Sequence, residues 1–92
     1  MANIQEITDE LFDIIYQDFD GVSVEDILNQ VEHIIGKELI EYDQKIDNGI
    51  DDDEEDTYLI CSCYSTKDDD FTLKIYFGNN TQRIFDINYY NN

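Results

Sequence analysis

The chain contains no proline and no tryptophan, four glycines, two cysteines and five lysine or arginine residues. Without proline, turns must come from glycine, asparagine and aspartate, and regular elements can run uninterrupted between them. No stretch approaches the ~18–20 apolar residues that a membrane span requires. The opening residues Met1 to Glu6 lack the basic start and long apolar run of a secretory signal. Cys61 and Cys63 stand two apart in a strand-like segment, side by side on one face. A bond between them is geometrically poor, so free thiols and a reducing, cytoplasmic compartment are the expectation. The scarcity of cations argues against direct contact with DNA or RNA, whose phosphates would repel this surface. It argues equally against anionic membranes.

What remains is enough for one domain of 92 residues, 41% apolar and 13% aromatic. Against the five cations stand 23 acids, for a formal net charge of −18. Such an imbalance opposes compaction by self-repulsion while favouring solubility and rapid capture of cationic partners.

The apolar spacing predicts a first helix from about Ile4 to Asp18, with Ile4, Ile7, Leu11, Ile14 and Ile15 on one stripe. Asp18 to Gly21 then forms a turn. Ser23 with Asp26 three residues on makes a capping box for a second helix. Val24, Ile27, Leu28, Val31, Ile34 and Ile35 are its apolar face, and Gly36 its stop. From Glu38 to Ile46 the pattern fits strand or helix. Gly36 tilts the reading toward a strand with Ile40, Tyr42 and Ile46 on one face. Asp51 to Asp56 is read as a loop, because six adjacent carboxylates oppose any packed element. Thr57–Ser65, Phe71–Phe77 and Thr81–Tyr90 read as strands, joined by turns at Thr66–Asp70 and Gly78–Asn80. The expected class is α+β: two N-terminal helices packed on a three- or four-stranded antiparallel β-meander.

The charge is segregated. Residues 1–56 hold 19 acids and two bases, a net of −17, and residues 57–92 hold four acids and three bases, a net of −1. No lysine or arginine precedes Lys37. Glu6, Asp9, Glu10 and Asp13 repeat at i, i+3, i+4 and i+7, so like charges face each other at a cost of roughly 0.2–0.5 kcal/mol per pair. Asp18 and Asp20 lie near a helix C-terminus, where the macrodipole disfavours anions. Glu25, Asp26 and Glu32 add charge to the second helix without a compensating cation. Several local rules are broken in the same direction, which suggests a functional reason. Carboxylates about 5–6 Å apart on a helix, and about 6.6 Å apart along a strand face, approach the spacing of nucleic-acid phosphates. The candidate partner-binding carboxylates are therefore these nine together with Glu38, Glu41, Asp43, Asp47, Asp51, Asp52, Asp53, Glu54, Glu55 and Asp56.

Other chemistries find little support. Asp18, Asp20 and Gly21 match inner positions of a calcium loop, but Tyr16 and Ile27 occupy its first and last ligand positions. His33 stands alone, and Cys61 and Cys63 have no further cysteine pair or histidine cluster for zinc. No nucleophile elbow, phosphate loop or dinucleotide fingerprint occurs. Neither an enzyme nor a cofactor is expected. Tyr58, Tyr64, Phe71, Tyr76, Phe77, Phe85, Tyr89 and Tyr90 exceed what one face of a small sheet can bury. An exposed aromatic patch, carrying Tyr76 or one of Tyr89 and Tyr90, would suit homodimerisation.

In length, charge and Asn/Ile/Asp/Tyr-rich composition the chain resembles the anti-restriction nuclease (Arn) proteins of T-even phages, small acidic mimics of DNA. That resemblance implies occupation of the DNA-binding site of a host protein, here a modification-dependent restriction endonuclease of the McrBC type or a nucleoid-type protein. Val31-Glu32-His33-Ile34-Ile35-Gly36 is also similar to a helix end of the uracil-DNA glycosylase inhibitor, and anti-CRISPR proteins share the acidic signature. An acidic adaptor or immunity-type protein that binds a basic partner without imitating nucleic acid is the alternative from another class.

Overall fold

The computed structural model describes residues 11, 13, 14, 19, 21–48 and 55–91. Helix α1 (Val24–Ile35) is followed by the strands β1 (Leu39–Asp47), β2 (Leu59–Thr66), β3 (Phe71–Gly78) and β4 (Ile84–Asn91). Every strand pairs antiparallel with its sequence neighbour, giving the order β1-β2-β3-β4. The fold is α+β with a four-stranded meander. The expected first helix falls mostly outside the described residues. Leu11, Asp13 and Ile14 are helical, and Leu11 and Ile14 are buried.

Helix α1 begins where local chemistry says it should. The Ser23 hydroxyl accepts the Asp26 amide, and the Asp26 carboxylate accepts the Ser23 amide, so two otherwise orphaned donors are satisfied. At the other end Gly36 takes φ 69°, and its N–H closes on the Glu32 carbonyl. Ile27, Val31 and Ile35 line the buried stripe between them.

Period-two alternation in β3 sets the sheet. Phe71, Leu73, Ile75 and Phe77 point to the helix side and are buried, while Thr72, Lys74 and Tyr76 point away. Leu11, Ile14, Ile27, Val31, Ile35, Leu39, Tyr64, Ile84 and Ile87 complete a single core on that side. Cys61 and Cys63 lie opposite Tyr76 and Lys74 on the open face. Both are free thiols, as the sequence suggested, with their sulfurs 3.8 Å apart.

Both edge strands are bulged. Glu41 pairs with Tyr64 and Asp43 with Cys63, which leaves Tyr42 as the extra residue of β1. Tyr76 pairs with Asp86 and Phe77 with Ile84, which leaves Phe85 as the extra residue of β4. The β1 bulge corrects the expectation that Ile40, Tyr42 and Ile46 share a face. Ile40 opposes Ser65 on the open side, whereas Ile46 opposes Ile60 on the helix side. Leu39 is the one buried residue of that strand.

Strands β2 and β4 also start later than expected. Tyr58 and Thr57 remain outside β2, and Thr81 belongs to a five-residue connection, residues 79–83, between β3 and β4. Gln82 takes φ 63° there and donates its N–H to the Gly78 carbonyl. The tight hairpin expected at Gly78–Asn80 is replaced because Asn80 and Thr81 are engaged elsewhere.

Candidate acidic interaction surface

Asp56 is what engages them. Its carboxylate is 1% exposed and accepts the Asn80 amide at 2.9 Å, the Thr81 amide at 2.8 Å and the Thr81 hydroxyl at 2.7 Å. Burial works to raise its pKa, but the bonds from Thr81 and Asn80 outweigh it and hold the carboxyl below its ordinary value. Asp56 was expected in an exposed run of six acids. It is instead a buried structural anchor on the β3–β4 turn, not an exposed carboxylate. Glu55 beside it is exposed.

Two other candidates have structural partners. Asp26 serves the capping box, and Glu32, half-buried, accepts the Leu39 amide at 2.8 Å. Glu32 thereby fixes the angle between the end of α1 and the start of β1. Glu25 and Asp26 sit in the first turn of α1, where the macrodipole favours anions. The charge on this helix is therefore better tolerated than its lack of cations suggested.

Strand β1 is the most exposed regular element. Every residue from Ile40 to Asp47 is exposed, on a strand that among the described residues pairs on one side only. Glu41, Asp43 and Asp47 project from it, and by strand rise Asp43 and Asp47 stand about 13 Å apart. Lys45 lies 3.6 Å from Asp43, but both are largely exposed, so the pair is screened and contributes little. Interleaved with these charges are three exposed apolar side chains, Ile40 at 51%, Tyr42 at 57% and Ile46 at 66%. Asp13 and Glu38 are exposed as well. Glu6, Asp9, Glu10, Asp18, Asp20, Asp51, Asp52, Asp53 and Glu54 lie outside the described residues.

The hairpin between β2 and β3 adds carboxylates that the split of the sequence at residue 56 had set apart. Leu39 pairs with Thr66, so this hairpin lies at the same end of the sheet as Glu38. Asp68 and Asp69 are exposed there. Asp70 instead bonds Lys37 and the Thr66 hydroxyl. Those two partners hold the Asp70 carboxyl below its ordinary pKa, and the same bond raises that of Lys37. A turn dense in Asp is a recognisable signal, but its meeting with Glu38 depends on strand pairing.

No family model, characterised protein or solved structure matches this chain.

The sheet's open face has another character. Lys74 lies 5.4 Å from the ring centre of Tyr90, which is 49% exposed, while Tyr76 is half-buried opposite Cys61. Burial and the Cys61 contact push the Tyr76 hydroxyl up to about 12. Burial likewise raises the Cys61 thiol, so little nucleophilic thiolate is present near neutrality. Among the described residues no cluster of three or more His, Cys, Asp or Glu side chains is arranged to hold a metal. Nor is any described helix long and apolar enough to cross a membrane.

Proposed function

We propose that this protein is a DNA-mimic inhibitor that occupies the nucleic-acid cleft of a host DNA-binding protein. The observation that carries the reading is the stiff edge strand β1, whose Glu41, Asp43 and Asp47 are all exposed beside Glu38, on a chain of net charge −18. Carboxylates held on a paired strand meet lysine and arginine side chains without first being ordered, so charge-assisted hydrogen bonds form at low entropic cost. Five cations against 23 acids leave the field strongly negative, and two of those cations, Lys37 and Lys45, already face the chain's own Asp70 and Asp43. Asp13, helical and exposed, adds a further carboxylate, while Glu6, Asp9 and Glu10 lie outside the described residues.

The finer reading, drawn from the resemblance to the Arn proteins, takes a modification-dependent endonuclease of the McrBC type as the target. The partner is a protein in either case, since Ile40, Tyr42 and Ile46 offer apolar contact that a purely ionic mimic would not need. The open face with Tyr76 and Tyr90 is the proposed homodimer contact, carried by residues of the nearly neutral stretch 57–92, whose net charge is −1.

Competition tests the function. A partner captured from bacterial lysate should release this protein on addition of duplex DNA, and its affinity should fall steeply with salt. A partner that holds DNA and this protein together defeats the mimic reading and leaves the acidic adaptor. A McrBC-type endonuclease that cleaves modified DNA unhindered by this protein defeats only the choice of target.

A further inference from the structure

We propose that Asp43 and Asp86 close the two open edges of the sheet to strand addition, so that partners engage this protein through side chains alone. Among the described residues, a meander of order β1-β2-β3-β4 places β1 and β4 at its edges, each with a strand neighbour on one side. Such edges are templates for edge-to-edge pairing. The hazard is greatest on β1, where Ile40, Tyr42 and Ile46 are exposed along the edge.

The same device stands on both strands. In β1 the extra residue Tyr42 is followed by Asp43, whose Oδ1 accepts the Gln44 amide at 2.9 Å. In β4 the extra residue Phe85 is followed by Asp86, whose Oδ1 accepts the Ile87 amide at 2.9 Å. Each unit reads aromatic, aspartate, capped amide. A bulge directs two successive amides toward the inner partner, so the next one faces the open edge. That outward amide is the donor an incoming strand would need, and the carboxylate has taken it. Exposed like charge at the same point repels a second copy, and the bulge twists the edge out of register. The repetition at opposite edges, with no sequence repeat elsewhere linking β1 to β4, marks a shared purpose.

This inference holds whatever the partner is, and its test needs only the protein itself. The double variants Asp43→Ala/Asp86→Ala and Asp43→Asn/Asp86→Asn are compared with the parent by sedimentation velocity at one ionic strength. Far-UV circular dichroism checks that each is folded. The Ala variant should grow with concentration into species of at least double the parent's mass. The Asn variant, whose amide oxygen still accepts the backbone N–H, should keep the parent's mass. A dimer through the open face would be common to all three and leaves the comparison unaffected. An Ala variant that sediments like the parent overturns the proposal. So does an Asn variant that assembles as readily as Ala, since charge alone would then be the guard. Should the double Ala variant fail to fold, amide hydrogen exchange at Gln44 in Asp43→Ala decides the matter at a dilution that prevents association. Exchange several-fold faster than in the parent supports the capping bond, and an unchanged rate overturns it.

Discussion

The Asp56 carboxyl lies where a side chain on Gly78 would have to be: a Cβ added at Gly78 would fall inside the van der Waals surface of that group. Gly78 therefore has no room for a side chain, although its backbone conformation would admit one. Gly78→Ala should destabilise the fold by about 1–3 kcal/mol through overpacking. In an Asp56→Ala background the same substitution should cost far less, because the obstacle is gone. Urea denaturation of the four members of that cycle measures the coupling. Additive costs would show that the two residues do not meet as described.

Acid should act through the same carboxylate. Asp56 and Asp70 both have pKa values below the ordinary aspartate value in the folded chain. A depressed folded value contributes stability that is fully present above the unfolded pKa and is lost as pH falls through the folded one. Asp56→Asn should consequently lower the urea midpoint at pH 7, and the gap from the parent should narrow below about pH 3.9, the ordinary aspartate value. A gap that stays constant down to pH 2 would assign the loss to packing instead.

Salt should stabilise this protein. With a net charge of −18, screening relieves more repulsion than the few ion pairs lose. Raising NaCl from about 20 to about 500 mM, which shortens the Debye length severalfold, should raise the thermal midpoint by several degrees. A midpoint that falls would mean that attractive pairs outweigh the repulsion.

The start of α1 rests on a reciprocal pair of bonds. Ser23→Ala removes the hydroxyl that accepts the Asp26 amide and should cost about 1 kcal/mol, within the 0.5–2 kcal/mol range of N-cap losses. Ser23→Asp, which can still accept that amide, should recover most of it in the same urea titration.

Cys61 and Cys63 should be slow to react with an aromatic disulfide reagent at pH 7.5 while the chain is folded. Both are buried, and the Cys61 thiol is raised further by burial. Urea should release both at rates typical of exposed thiols. Rapid labelling of the native protein would place them at the surface.

Helix α1 was legible because all its signals are local: Ser23 and Asp26 cap it, Ile27, Val31 and Ile35 recur at helical spacing, and Gly36 releases the chain. Strand β3 was legible for the same reason, through its strict alternation. Strand β1 was legible only through the tilt that Gly36 gave toward a strand, since its burial pattern lacks any period and pairing with β2 is what settles its conformation. The Tyr42 bulge could not be foreseen, because one inserted residue shifts the face of all that follow without changing composition.

The sequence by itself determined the α+β class, the capped helix, the buried face of β3 and the overwhelming negative charge, all of which follow from residue type and short-range spacing. Tertiary structure alone decided which carboxylates are free to meet a partner. Asp56 is buried by a turn far along the chain, Glu32 is drawn to the Leu39 amide, and Asp70 is drawn to Lys37. A carboxylate's role depends on the donors that surround it, and those donors are brought by distant segments.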